Sequence, residues 1–287
     1  APYGPPPLPV RPGYTFAGWS QDKTGGEYGY EGSIVKITQD TLLYAVWSPN
    51  TYRVMFVGGG ADGGSVDAVT LTYDITAELP ANGFTRSGYA FAGWAKSENG
   101  KKVYDDRAEV INLTAENNGT VLLYACWQAE TYSVTLNTGE NTEKITVTYK
   151  ETYGKLPVPE RKGYTFEGWF TATDGGSMVT EGTTVSDTQD HELYARWKLN
   201  EYGITYVLSG GSDGENPASY TVEDEKIILK SATKTGYKFL GWYEEESGAK
   251  KVTEIDTAIA SDITLYARWE AETYTVTFIA NGGSDVG

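Results

Sequence analysis

The sequence predicts a mainly β protein built as a tandem array of small β-sheet repeat domains with little helix. Three observations carry that reading. A heptapeptide, GYTFAGW at 13–19, returns as GYAFAGW (88–94), GYTFEGW (163–169) and GYKFLGW (236–242), at offsets of 75, 75 and 73 residues. Two further motifs follow it in fixed order: LYAVW (43–47), LYACW (123–127) and LYARW (193–197, 265–269), then TYRVMF (51–56), TYSVTL (131–136), EYGITY (201–206) and TYTVTF (273–278). Within these motifs apolar and polar residues alternate with a period of two, which belongs to strands. Self-similarity at a fixed period marks a repeat architecture and overrides the two domains that 287 residues would suggest by length alone.

Each element of the unit follows in turn. In the opening strand Tyr52, Val54 and Phe56 share one face while Arg53 and Met55 share the other, and the later copies keep that apolar face. This suits a sheet with one wet side. A Gly-rich turn comes next, as VGGGADGGS (57–65), NTGEN (137–141) or SGGSDGEN (209–216), and then an alternating run such as VTLTY (69–73) or ITVTY (145–149). The heptapeptide is a core-building strand whose sixth residue, a glycine between large aromatics, permits a bend, a bulge or close packing. A short turn (TGG, NG, DGG or SG) leads towards LYAxW, whose variable x residue is expected to face solvent. The stretch VTEIDTAIASD (252–262) is the best candidate for a helix.

Three complete units then span 50–128, 129–198 and 199–270. Residues 1–49 hold only the second half of a unit, and 271–287 only the opening strand of a further one. Units of this size bury a modest share of their surface and often need staples. With one cysteine there is no intrachain disulfide, so the core rests on aromatics. All eight tryptophans lie in the two Trp motifs. The expected core is Tyr14, Phe16, Trp19, Trp47, Phe91, Trp94, Trp127, Phe166, Trp169, Trp197, Phe239, Trp242 and Trp269.

Composition excludes several function classes. A net charge of −16 and a pI near 4.5 repel phosphate backbones and anionic membranes, so no nucleic-acid partner is expected. No apolar run approaches the ~18 residues of a membrane span, so no membrane insertion is expected. With neither an initiator methionine nor a signal peptide, the sequence is expected to be a mature fragment or an excerpt of a longer chain.

The linked motifs GYTFxGW, a Gly-Gly turn, LYAxW and TYxVxF resemble the Listeria–Bacteroides repeat family, the B-repeats of internalin-type bacterial surface proteins. The resemblance covers essentially the whole chain. It implies small β-grasp-like domains with little helix, an extracellular setting at the bacterial cell surface, and a stalk or interaction segment with no catalytic residues to carry over. The third complete unit departs from the pattern by lacking Leu-Pro before its heptapeptide, and the first by its long segment KKVYDDRAEVINLTAENNGT (101–120).

His191 in TQDHELYARW reads as a solvated loop histidine, since a triad would need it beside Cys126 or a serine. One Cys and one His do not supply zinc with four ligands. Adjacent Asp105 and Asp106 point to opposite faces of a strand, and no glycosidase cleft is legible. GGGADGG (58–64) lacks the Lys-Ser/Thr of a phosphate loop. Asp62, Asp213 and Asp285 each sit in a Gly-rich turn and are weak calcium candidates, with plain turn chemistry the better reading. No cofactor is expected. The function read from the sequence is a non-catalytic spacer making protein–protein contacts. Its alternatives are an adhesin or carbohydrate-binding module contacting host protein or glycan, and an accessory module of a secreted hydrolase. Strand 273–279 offers an edge for head-to-tail self-association, although a boundary cut out of phase with the array explains it more simply.

Overall fold

The computed structural model describes residues 8–25, 39–279 and 281–283. The chain divides into two compact units, one of Ala1–Ser133, Thr146–Tyr153 and Thr184–His191, the other of Val134–Ile145, Gly154–Thr183 and Glu192–Gly287. Strands dominate both, as β-branched and aromatic residues alternating along a half-buried surface require.

In the first unit, a four-stranded sheet orders Val69–Thr72, Thr51–Val57, Thr120–Ala129 and Tyr89–Ala95 from edge to edge. The two central strands are parallel, with Thr120 opposite Arg53 and Tyr124 opposite Val57. The outer pairings are antiparallel. A parallel pair needs a long crossover, and here that crossover is most of the repeat, carrying the second strand and the heptapeptide. Mixed pairing with the first and last strands side by side gives the β-grasp-like sheet. Tyr52 and Val54 are buried, whereas Arg53 and Met55 are exposed, so the wet and dry faces follow the sequence alternation. Leu71, Leu79, Trp94, Val110 and Leu123 complete the core.

The second unit repeats the plan between Tyr202 and Ala271. Ser219–Tyr220, Tyr202–Val207, Ile263–Ala271, Tyr237–Tyr243 and Lys251–Val252 lie in that order, and the Tyr202–Val207 and Ile263–Ala271 pair is again parallel. Its core gathers Ile204, Tyr220, Trp242, Ile255 and Leu265. In the same unit Tyr164–Phe170 pairs antiparallel with His191–Leu199, and with Met178–Val179 on its other side.

Pairing of heptapeptide and LYAxW strands explains why the two motifs travel together. The heptapeptide Phe stands directly opposite the LYAxW Trp in every copy: Phe16 to Trp47, Phe91 to Trp127, Phe166 to Trp197 and Phe239 to Trp269. Each Phe ring also meets the Trp of its own heptapeptide, at centroid separations of 4.9–5.5 Å. The result is a Trp–Phe–Trp cluster with mostly edge-to-face contacts, the geometry the ring quadrupoles favour.

The fifth and sixth residues of the heptapeptide form a β-bulge opposite a single residue of the LYAxW strand. Gly18, Gly93, Gly168 and Gly241 have φ of 146°, 136°, 146° and 138°, and the register shifts at that point in each copy. A Cβ on Gly93 would stand 2.4 Å from the Tyr104 carbonyl oxygen, so only glycine fits. The residue opposite the bulge is the variable x of LYAxW, and here the structure corrects the expectation of a solvent-facing side chain. The guanidinium carbons of Arg196 and Arg268 lie over the rings of Phe170 and Tyr243, 3.8 Å from each centroid. Their guanidinium groups donate to carbonyls of the turn after the heptapeptide: Ala172 and Gly175 in one case, Glu245 and Gly248 in the other. Cys126, in the same position, places its Sγ 3.7 Å from the Gly100 carbonyl oxygen. The physical reason is the missing Cβ across the ladder, which lets the x side chain lie along the turn. Replacing Arg268 by alanine is expected to cost ~1–3 kcal/mol by losing stacking and charge-assisted hydrogen bonds. Lysine should not restore this, having no planar fork. Denaturant titration of the two variants checks both statements.

Two other expectations are revised. The candidate helix 252–262 reduces to one 3-10 turn, Thr257–Ile259, whose N-cap Asp256 accepts from the Ala258 amide and which ends at left-handed Ala260. Short strands at Lys251–Val252 and Glu254–Ile255 take the preceding residues, so tertiary pairing overrides the local apolar spacing. Residues 272–279 carry no strand. The opening strands at Thr51–Val57 and Tyr202–Val207 each lie between a parallel and an antiparallel neighbour, and 272–279 have no ladder partner among the described residues. Tyr274, Val276 and Phe278 are exposed there.

Candidate functional site

A backbone contact recurs at the joint between one repeat and the next. The LYAxW strand ends and the following opening strand begins with one residue between them at Asn50 and Glu130, or two at Asn200 and Glu201. That residue's amide donates back to the carbonyl of the first heptapeptide glycine. Asn50 reaches Gly13 at 2.8 Å, and Glu130, Asn200 and Glu272 reach Gly88, Gly163 and Gly236 at 2.9 Å. Its carbonyl accepts from the next repeat, with the Tyr73 amide on Asn50 at 2.8 Å and the Tyr149 amide on Glu130 at 2.9 Å. The linker therefore has both backbone groups committed at these two joints.

The glycines themselves are sockets. Gly13, Gly88, Gly163 and Gly236 have φ of 78°, 76°, 82° and 79°. A Cβ on Gly13 would lie 2.2 Å from the Tyr73 ring, one on Gly88 2.4 Å from Tyr149, and one on Gly163 2.3 Å from Val222. At Gly236 the same direction is open, with nothing within 4 Å. Tyr14 and Tyr89, the residues after two of these glycines, meet Tyr73 and Tyr149 edge-on at 5.8 and 5.5 Å.

Two joint chemistries alternate along the chain. At Asn50 and Asn200 a threonine hydroxyl, Thr15 or Thr165, donates to the Asn side chain at 2.6 and 2.7 Å. At the same joints Tyr14 and Tyr164 donate to Asp74 and Glu223, each at 2.6 Å. Asn50 is buried, and its amide nitrogen donates to the Ala115 carbonyl. At Glu130 and Glu272 the linker carboxylate instead accepts from Tyr132 and Tyr274 of the following segment. Sequence reasoning singled out the sixth heptapeptide glycine and passed over the first. The signal available was the recurrence of Gly-Tyr together with the near absence of residues between LYAxW and TYxVxF.

These contacts set the pH response. Hydrogen bonds from Tyr14 and Asn112 hold the Asp74 carboxyl below its usual value, and the Ser87 amide does the same for Asp62. Their stabilisation is present above the unfolded value near ~4 and is lost as pH falls through the lower folded value. Donation to Asp74 raises the Tyr14 phenol, and donation to Glu130 raises Tyr132 to about 12. A raised phenol contributes fully below ~10 and loses its contribution as pH climbs through the folded value. Thermal midpoints are expected to be level between about pH 5 and 9, falling below ~4 and above ~10. Asp74→Asn should flatten both flanks when the titration is repeated.

The remaining sequence-predicted residues fall as follows. Trp94, Trp169 and Trp242 are buried, while Trp19, Trp47, Trp127, Trp197 and Trp269 are half-buried. The indole NH groups of Trp127, Trp197 and Trp269 donate to the carbonyls of Gly58, Thr138 and Leu208. Tyr14, Phe16, Phe91, Phe166 and Phe239 are also half-buried. His191 is held rather than solvated: its Nε2 lies 2.7 Å from the Tyr153 hydroxyl and its Nδ1 3.1 Å from the Gln189 carbonyl oxygen. Burial first, and the Asp187 charge second, raise the Tyr153 phenol. His191 and Cys126 have different partners. Asp105 accepts from Lys102 and Asp106 from the Asn82 amide. Asp213 accepts from the Glu215 amide two residues on, whereas Asp62 accepts from the Ser87 amide, 25 residues away in the chain; Asp285 lies outside the described residues. Among the described residues no group of three or more His, Cys, Asp or Glu gathers to hold a metal ion, and no helix is long and apolar enough to cross a membrane.

A series of β-grasp-like domains, each docked on the next through an almost residue-free linker, defines a tandem-repeat protein. The chain belongs to the Listeria–Bacteroides repeat domain family, whose model matches residues 2–46, 52–125, 132–196 and 202–268. Over 96% of its length it is 30% identical to a protein of Evansella cellulosilytica named provisionally as a Gly-rich membrane protein, and covers 32% of that protein. A second Evansella protein, named provisionally as a membrane protein, is 28% identical over 92% of this chain and 40% of its own. Internalin H of Listeria monocytogenes is 25% identical over 82% of this chain and 41% of its own. The chain thus spans 32–41% of the length of these relatives.

Proposed function

We propose that this chain is a non-catalytic spacer and contact segment of a bacterial cell-surface protein. The observation that carries the reading is the joint. A flexible tether spends its residues on slack, whereas here the backbone groups of Asn50 and Glu130 bond backwards to a glycine and forwards to a tyrosine. Repeat proteins linked in this way couple each domain energetically to its neighbour, which is what holding a partner at a fixed distance requires. The surface setting is supported by the names of the relatives, two provisionally named as membrane proteins and one an internalin.

The test is a distance. In a Cys126→Ser background, spin labels at Thr70→Cys and Lys238→Cys, both exposed positions, report the separation of the first and third repeats. A spacer gives a narrow distribution that broadens when a four-residue Gly-Ser insert follows Ala129. A broad distribution in the uninserted chain defeats the reading.

A further inference from the structure

The three complete repeats differ in the loop that follows the opening strand, and a groove lies beside the shortest of these loops. After their opening strands, the first and third repeats carry the long Gly-rich loops at 57–65 and 209–216. One or two residues of each pair antiparallel with the segment that precedes the heptapeptide. In the first repeat Gly63–Gly64 pair antiparallel with Phe84–Thr85, and the Asp62 amide donates to the Thr85 carbonyl at 2.9 Å. In the third, Ser212 and Thr233 exchange two backbone hydrogen bonds of 2.8 and 2.9 Å, and Gly211 sits against the Trp269 ring. The second repeat has only NTGEN, which closes on itself through the Thr138 amide and the Asn141 carbonyl. Counting back from the heptapeptide glycine, Thr85 and Thr233 correspond to Glu160.

Beside the short 138–141 turn of the second repeat lies an open space. It forms a groove of about 440 Å³ floored by Leu136, Trp169 and Trp197. One wall is Pro157-Val158-Pro159, with Val158 75% exposed. The other is the 138–143 turn and strand start. Glu140, Glu143 and Glu160 line it together with one cation, Arg161, which is already paired to Glu140 at 3.1 Å. Glu143 and Glu160 have no ion pair among the described residues, and both are exposed.

We infer that this groove binds an extended peptide segment of a partner protein, one that alternates a small apolar residue with lysine or arginine. The backbone form follows from the flanking repeats, where the segment before the heptapeptide pairs antiparallel with loop backbone at Gly63–Gly64 and at Ser212. The apolar positions match the Trp–Leu floor. The basic positions match two uncompensated carboxylates at the rim, where charge complementarity selects the partner. The inference concerns the contact half of the proposed function and stands apart from the spacer half, since a groove on one repeat does not depend on how the joints hold length.

The experiment uses the intact chain and three acetylated, amidated hexapeptides that alternate valine with lysine, glutamate or serine, titrated with detection at the Trp197 indole NH and the Glu143 and Glu160 amides by NMR. The Val-Lys peptide is expected to saturate these signals and to bind at least tenfold more tightly than the Val-Glu peptide. Glu143→Lys with Glu160→Lys should invert that order. The control pair Glu225→Lys with Glu246→Lys, exposed carboxylates outside the lining, makes the same change in net charge and should leave it intact. Saturable shifts from chito- or cello-oligosaccharides but not from peptides would overturn the inference. So would dimerisation of the chain through this face, equal effects of both double variants, or no shift at the groove at the solubility limit of all three peptides.

Discussion

Trp242→Ala is expected to unfold the third repeat at a cost of ~3–5 kcal/mol while leaving the rest of the chain folded. Trp242 is 2% exposed and packs against Phe239 and Tyr206 at centroid separations of 5.4 and 4.9 Å. Its indole NH donates to the Lys230 carbonyl at 2.8 Å. A domain of this size holds on the order of 4–10 kcal/mol in all, so this one ring carries a large fraction of it. The equivalent Trp94 is equally buried, yet its indole nitrogen has no hydrogen-bond partner among the described residues. Substitution by phenylalanine should therefore cost less at 94 than at 242, because only the second loses a bond. Denaturant titrations followed domain by domain read all three variants. A cost below ~1 kcal/mol for Trp242→Ala would mean that the ring is not core, since full burial predicts several times that.

Gly88→Ala is expected to be far more damaging than Gly236→Ala, although the two glycines have φ of 76° and 79°. Both alanines meet the left-handed penalty of ~1–2 kcal/mol. At Gly88 the new methyl also collides with Tyr149, which is wedged by Tyr89, adding an overpacking cost of ~1–3 kcal/mol. The total is roughly 2–5 kcal/mol at Gly88 against ~1–2 at Gly236. Thermal unfolding should in addition show the first repeat melting apart from residues 146–153 in the Gly88 variant. Equal costs at the two positions would show that the glycine answers to its own backbone alone and that the joint contributes nothing.

The strands were legible because alternation is local: Tyr52 and Val54 inward, Arg53 and Met55 outward, can be read from five residues. The parallel pairing of Thr51–Val57 with Thr120–Ala129 was not, since sequence period says which face a residue occupies and nothing about which distant strand lies beside it. Arg196 and Arg268 were misread for a related reason. Their direction is set by a bulge on the partner strand, so the same alternation that serves a regular ladder points them to solvent. The apolar spacing of 252–262 suggested a helix, but Val252 and Ile255 were already claimed as short strands. The joints were hidden by their economy: Asn50 and Glu130 look like ordinary polar linker residues until their neighbours in space are known. The groove at Trp169 and Trp197 lies beside a turn whose shortness is plainly visible in the sequence, which acquires meaning only once the residues around it are placed in space.

The parallel central pair has a mechanical corollary. In the first and third repeats the chain enters along the opening strand and leaves along the LYAxW strand beside it, running the same way. Tension applied through the two linkers therefore pulls these neighbours in opposite senses along their length. The ladder between them is loaded in shear, with its bonds from Arg53 to Val57 and from Ile204 to Val207 strained together rather than peeled one after another. A stalk made of such units would stay taut under drag and yield one domain at a time, each giving up length without severing the chain.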